Sequence, residues 1–470
     1  MSKRWIPGAL ACALFLAGCS MAPLYERPAA PVPTVFPGDP AQPPGAAASA
    51  VPWQTFFTDA RLQKLIETAL ANNRDLRVSV LNIEQARAQF RIQRAAQFPT
   101  LGLSAAGSRS SPNPFAAFVE GAGSVSSSYS VSLGISAWEI DFFGRIASLK
   151  DAALAQYLAT EESRRAAQIS LIGAVATGWL TVLADDQLLE LTRQTLATRE
   201  ESVRLTKLRF DNGVSSEIDF QLANSLMETA RAAYAQQQRL RLQDENALAL
   251  LLGAPVPADT VAGNNADKLD GVAPMPDVPA GLPSDLLVER PDIRAAEQQL
   301  LAANANIGAA RAAFFPRISL TTSIGTASTQ FSNLFDSGTK AWSFAPQLTL
   351  PIFDAGRNIA GLDSARAQRD IAVAQYEKSI QTAFREVGDA LAGRATLGEQ
   401  VRAQRAQAQA EGVRFRLSDL RYRNGIASAL DLLDAQRSQF AAQQLSVQAR
   451  LLQLQNQVTL YKVLGGGGSL

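Results

Sequence analysis

Ser126-Ser127-Ser128-Tyr129-Ser130-Val131-Ser132-Leu133-Gly134-Ile135-Ser136-Ala137-Trp138 repeats with a period of two. One face carries Tyr129, Val131, Leu133, Ile135 and Ala137; the other carries Ser128, Ser130, Ser132, Gly134 and Ser136. Such alternation marks a β-strand with two unlike faces. Upstream, Leu101, Leu103 and Ala105 alternate with Gly102 and Ser104. Farther on, Ile318, Leu320, Thr322 and Ile324 alternate with Ser319, Thr321 and Ser323. A fourth run alternates Trp342, Phe344, Pro346, Leu348 and Leu350 with Ser343, Ala345, Gln347 and Thr349. Strands are therefore predicted at about 100–110, 126–138, 317–327 and 341–350. Each is about 10 residues, the length a tilted transmembrane strand needs. A greasy face and a small hydroxylic one suit a barrel with lipid outside and water inside. Taken alone, the strands also fit a soluble β-sandwich. Pro346 and Arg109 do not suit lipid, and Arg109 is placed at an outer rim beside the loop 110–124.

Long proline-free runs follow Gly144 and Gly356, covering about 145–210 and 357–422. Return helices are predicted over about 215–252 and 428–464. A helix of some 60 residues is on the order of 90 Å long. Rods of that length must pack along one another. Shorter amphipathic segments precede the strands, with Leu76, Val80, Ile83 and Ala86 at helical spacing and Phe98-Pro99 as the stop.

The chain is a tandem duplication. Ala95-Ala96-Gln97-Phe98-Pro99 recurs as Ala312-Ala313-Phe314-Phe315-Pro316, an offset of 217. Asp141-Phe142-Phe143-Gly144-Arg145 lines up with Phe353-Asp354-Ala355-Gly356-Arg357 at offset 212. Leu208-Arg209-Phe210-Asp211-Asn212-Gly213-Val214 matches Leu420-Arg421-Tyr422-Arg423-Asn424-Gly425-Ile426 at the same offset. The repeats are placed at 53–270 and 271–470.

Composition narrows the function. The 470 residues include no histidine and only two cysteines, Cys12 and Cys19. The commonest general base and the usual transition-metal ligands are missing, so no metal site is expected and an enzyme is disfavoured. Net charge is +1, without the clustered basic surface that nucleic acid requires. Lys3 and Arg4, an apolar stretch from Ala9 to Ala17 and then Leu16-Ala17-Gly18-Cys19 read as a lipoprotein signal peptide over 1–18. Lipid is expected on Cys19, with no other cofactor, and Ser20 in place of aspartate fits transfer to the outer membrane. Residues 19–52, rich in proline, alanine and glycine, read as an extended tether along the surface.

Four strands cannot close a barrel alone. In lipid, an open sheet would leave two edges of unsatisfied backbone groups. Three copies would supply twelve strands and a usable pore.

The lipobox, the duplicated helix–hairpin–helix halves, the two Phe-Pro junctions and Leu433-Asp434-Ala435-Gln436 resemble the TolC-like outer-membrane factors. The resemblance covers nearly the whole mature chain. It is strongest to the lipoprotein (OprM-like, NodT) branch of resistance-nodulation-division (RND) tripartite efflux systems. It implies a mixed α and β membrane protein: a homotrimeric transmembrane β-barrel, four strands per protomer, continued by a long α-helical periplasmic barrel. It also implies an outer-membrane exit duct for drugs and small organic molecules, partnered by a periplasmic adaptor (membrane fusion protein) and an inner-membrane RND transporter. A type I protein-secretion duct and an envelope structural lipoprotein are the other readings. By the same resemblance the periplasmic gate maps to Tyr422, Asp431 and Asp434, with Leu430 one turn before Asp434. Members nearest TolC carry arginine two residues after the glycine matching Gly425; this chain has Ala427.

Asn212-Gly213 and Asn424-Gly425 are turn signals between long helices, so the gate falls at the hairpin turns. Asp431 and Asp434 lie three apart on one helical face. In a trimer they would form stacked carboxylate rings, with pKa values raised by mutual repulsion, able to select or bind cations. Charges stabilising the start of a helix are the alternative account of these aspartates. The first half keeps Asp219 but has Leu222 where Asp434 stands, so movement is assigned to the second hairpin.

Overall fold

The computed structural model describes residues 21–36, 48–111, 125–261, 269–273, 275–279 and 283–468. The signal peptide and Cys19 lie outside the described residues. The first half runs α1 (Ala60–Asn72), α2 (Arg74–Ala95), β1 (Leu101–Ser110), β2 (Ser126–Ile140), α3 (Arg145–Asp211) and α4 (Glu217–Leu252). The second repeats that order as α5 (Pro283–Glu289), α6 (Pro291–Ala312), β3 (Arg317–Ser328), β4 (Lys340–Thr349), α7 (Arg357–Arg423) and α8 (Ala429–Val463). Helices α3 and α7 have 67 residues each. The chain forms two compact units, each drawing on both halves: one of Met1–Ala29, Asn82–Thr160 and Ala295–Tyr376, the other of Ala30–Leu81, Glu161–Arg294 and Glu377–Leu470.

The first unit holds an antiparallel four-stranded sheet in the order β1-β2-β3-β4. Its register puts like beside like. Leu101, Leu103 and Ala105 face Ile135, Leu133 and Val131, while Ser104 and Ala106 face Ser132 and Ser130. Ile318, Leu320, Thr322 and Ile324 face Leu348, Pro346, Phe344 and Trp342. On the other face the hydroxyls of Ser104 and Ser132 lie 3.0 Å apart, and those of Ser323 and Ser343 2.7 Å apart. Among the described residues the apolar side is largely uncovered: Trp342 is 77% exposed and Leu103 75%. Strands β1 and β4 are edges, and an edge is where a proline such as Pro346 is tolerated. Arg109 pairs with Ser127 as the penultimate residue of β1, at the strand end.

One expectation about the faces is corrected. Between the pairs Ile135–Thr322 and Trp138–Leu320 the register slips. Ala137, with φ 49°, sits in that slip as the extra residue of a β-bulge. Trp138 and Ile140, opposite Leu320 and Ile318, thereby continue the apolar face in place of Ala137.

Beside the sheet, α3 and α6 meet through Ala152, Ala155, Ala302 and Ala305. The long helices start at aspartates: Asp141 accepts from the Ala147 amide at 2.7 Å and Asp354 from the Asn358 amide at 2.9 Å. Such carboxylates satisfy amides that have no partner within the helix. Residues 21–27 lie along α6 as a strap. Its carbonyls at Met21 and Pro23 accept from Arg311 (3.2 Å) and Asn304 (2.8 Å). Glu297 accepts from the Tyr25 hydroxyl at 2.9 Å and from both arms of Arg27 at 2.7 and 2.8 Å. Glu297, Asn304 and Arg311 recur every seven residues, so one helical stripe holds the whole strap.

The second unit has a conventional core. Trp179, Leu180 and Leu183 of α3, Leu65 and Ile66 of α1, and Leu248 and Leu252 of α4 are fully buried. Phe56 stacks on Tyr461 at 3.9 Å. This core accounts for the long apolar stretch of α3, most of which is buried. The duplication shows in its joints. Asn73 Nδ2 donates to the Leu251 carbonyl at 2.8 Å, and Arg290 Nη1 to the Val463 carbonyl at 3.1 Å. Each thus satisfies a last-turn carbonyl of its own half's return helix.

Replacing Glu297 by Ala removes three of the strap's bonds. Endoproteinase Glu-C should then cut after Glu26 several times faster than in the parent, while the far-ultraviolet spectrum stays unchanged. Equal cleavage rates would show that the strap is held by something else.

Candidate functional site

The turns joining α3 to α4 and α7 to α8 are built alike. Asn212 and Asn424 each donate a side-chain amide to the carbonyl four residues back, Leu208 and Leu420, at 2.7 Å. Gly213 and Gly425 follow with φ of 72° and 71°, backbone that a Cβ resists. The Gly213 amide bonds Phe210 at 2.9 Å and the Val214 amide bonds Arg209 at 2.8 Å. Gly425 and Ile426 do the same to Tyr422 and Arg421 at 3.0 and 2.8 Å. This paired closure of a helix C-terminus satisfies carbonyls left without helical partners.

The return helices begin with matching capping boxes. Ser428 Oγ accepts from the Asp431 amide at 3.2 Å, and Asp431 Oδ2 accepts from the Ser428 amide at 3.1 Å and hydroxyl at 2.8 Å. Ser216 and Asp219 repeat this at 3.1, 3.3 and 2.8 Å. Asp431 is therefore the third residue of a helical first turn. The Ser428 bonds hold its carboxyl below the usual carboxylate range. Ser-x-x-Asp at 216–219 and 428–431 is a helix-start pattern, so these caps have a signal in the sequence itself.

Asp434 faces differently. It bonds Arg414 of α7 and, at 2.7 Å, Arg437 three residues on. Arg414 also pairs with Glu411 at 3.1 Å. Its bond from Arg414, above all, lowers the Asp434 carboxyl below its ordinary value. Within the protomer the upward shift expected from mutual repulsion is thus reversed, because two guanidinium groups stand nearer Asp434 than any carboxylate partner.

Two of the four predicted gate residues line recesses, one each. Asp431 opens onto a cleft of about 650 Å³ with Val413, Arg414, Leu417, Arg421 and Ala427. Tyr422 lines another of about 810 Å³ with Leu205, Arg209, Asp419 and Leu433. There the Arg209 guanidinium lies over the Tyr422 ring at 4.6 Å, a cation–π contact. Leu430 points to neither and is 61% exposed. The fold brings Asp431, Asp434 and Arg414 to one side of the second hairpin and turns Tyr422 toward the first. Among the described residues no group of three or more His, Cys, Asp or Glu gathers to hold a metal ion. The geometry is that of a polar, adjustable seam between two rods.

The chain was compared with known proteins. Residues 65–254 and 282–466 match the family model described as "Outer membrane efflux protein". The toluene efflux pump outer membrane protein TtgC of Pseudomonas putida is 50% identical over 459 residues, covering 97% of this chain and 94% of the relative. The antibiotic efflux pump outer membrane protein ArpC of Pseudomonas putida matches equally, at 50% identity and the same coverage of 97% and 94%. Among solved structures, the open state of the MtrE outer membrane channel of Neisseria gonorrhoeae superposes with a TM-score of 0.85. It is 43% identical, and the match covers 96% of this chain and 98% of that one.

The Asp431 and Asp434 carboxyls are lowered on folding. Their contribution to the first turns of α8 is therefore complete above the unfolded value, about pH 4, and disappears as pH falls through the folded value. Protection of the amides at residues 429–432, taken relative to their intrinsic exchange rates at each pH, should fall on acidification through that window. In Ser428→Ala, which lacks the cap (roughly 1 kcal/mol), the same amides should exchange fast already at pH 7. Unchanged protection in both experiments would remove the capping role.

Proposed function

The chain belongs to the outer membrane efflux protein family and is an outer-membrane efflux channel; we propose that it acts as the passive exit duct of a tripartite pump, gated at its hairpin turns. One observation carries the reading. The sheet of the first unit has an uncovered apolar face, a hydroxyl-bearing face and two open edges. Lipid suits the first face and water the second. The edges find partners only in other copies: β1 of one protomer beside β4 of the next closes a barrel, and three protomers give twelve strands.

The duct lowers the barrier to transit and catalyses no reaction. Its cargo is proposed to be antibiotics, apolar solvents and similar small organics, by analogy with the relatives' toluene and antibiotic pumps. Energy and selection would come from an inner-membrane RND transporter reached through a periplasmic adaptor. A lipid on Cys19 would anchor the N-terminus in the outer membrane. At the hairpin turns Asp434 is held by Arg414 and Arg437. We assign the closed state to that clasp on the second hairpin, since Leu222 leaves the first without one.

Reconstituted in planar bilayers, the parent should show low, rarely open conductance. Asp434→Ala and Arg414→Ala should each raise it several-fold, and the double variant should add little, as expected for two partners in one interaction. Equal conductance in all four proteins would discard the clasp. A monomer in detergent that forms no channel would discard the duct itself.

A further inference from the structure

A second feature of the helical hairpins lies away from the turns. Arg199 of α3 is 3% exposed. Its Nη1 donates to the Leu226 carbonyl of α4 at 2.7 Å, and its guanidinium lies 5.6 Å from the centre of the Phe440 ring of α8. Its Nε is buried and has no hydrogen-bond partner. Among the described residues no acid pairs with it, and burial alone lowers its affinity for its proton. Other arginines held within the fold meet acids: Arg145 meets Glu139, Arg241 meets Asp186, and Arg290 meets Asp292 and Glu386. A buried cation bonded only to a carbonyl and a ring keeps most of its desolvation cost.

Arg199 lines a cavity of about 140 Å³. Gln194, Thr195, Gln439 and Gln443 share the wall, and every other lining residue is uncharged. That is room for several water-sized groups. The Thr195 and Thr198 hydroxyls are spent on the Leu191 and Gln194 carbonyls of their own helix; the Arg199 Nε–H, with the side-chain amides of Gln439 and Gln443, suits a weakly basic monovalent anion. A phosphate would bring more negative charge than one arginine can balance.

We propose that this cavity is a small-anion site, occupied by chloride, with Arg199 as its charged ligand. The bound ion neutralises the buried guanidinium. It also adds to the tie between the hairpins, beside the bond of Gln436 of α8 to Ser202 of α3 at 3.1 Å. The site is independent of what passes through the channel.

Thermal unfolding of the purified mature protein in detergent tests it, in sodium chloride against sodium gluconate at equal ionic strength. Gluconate is the larger and more strongly hydrated anion. The parent should melt roughly 1–3 °C higher in chloride. Arg199→Lys, which keeps the charge, should retain a shift, and Arg199→Met should lose it. Crystals soaked in bromide should show an anomalous peak beside Arg199, a readout that stands even if the Met variant fails to fold. Identical melting of the parent in both salts, or a cavity without bromide, would mean that water alone fills the space and would overturn the proposal.

Discussion

Backbone polar groups at the two edges of the four-stranded sheet are the constraint on which the rest turns. Strands β1 and β4 each have a neighbour on one side only. In water an exposed edge is a modest liability; in hydrocarbon it leaves every second amide and carbonyl without a partner. The apolar residues that commit the sheet to lipid, Trp342 and Leu103 among them, therefore also commit it to company. Membrane insertion and self-association are one requirement seen from two sides.

The helical part answers a different demand. Its ends are fully provided for within the chain: the Asn-Gly turns close α3 and α7, and Ser216 and Ser428 cap α4 and α8. What the protomer does not fix is how the second hairpin lies against its surroundings. Salt bridges of Asp434 and the cleft around Asp431 are exposed and solvated. Exposed ion pairs are weak one by one. Under the proposed gating, weakness there is useful, because a rod held by modest polar bonds would move without disturbing the buried aromatic core around Trp179 and Tyr461.

Period-two strands, long proline-free helices, Asn-Gly turns and the twofold repeat were all legible because each is written in local spacing. The β-bulge at Ala137 was not, since a two-against-one mismatch exists only relative to β3. The aspartates were found, but not their partners. Arg414 stands twenty residues before Asp434 on another helix, and nothing in the spacing of either announces the meeting. Arg199 was passed over for the same reason: a cation looks ordinary in sequence until burial removes its water. The capping serines are legible too, since Ser-x-x-Asp is a local pattern.

The two joints at the ends of the return helices have diverged since the duplication. A neutral amide, Asn73, closes the first, whereas a guanidinium braced by Asp292 and Glu386 closes the second. Amide hydrogen bonds are nearly indifferent to dissolved salt, and ion pairs are screened by it. Arg290 itself is buried, so dissolved ions reach its pairs only in part: one shoulder of the molecule is held by dipoles alone and its twin by shielded charge.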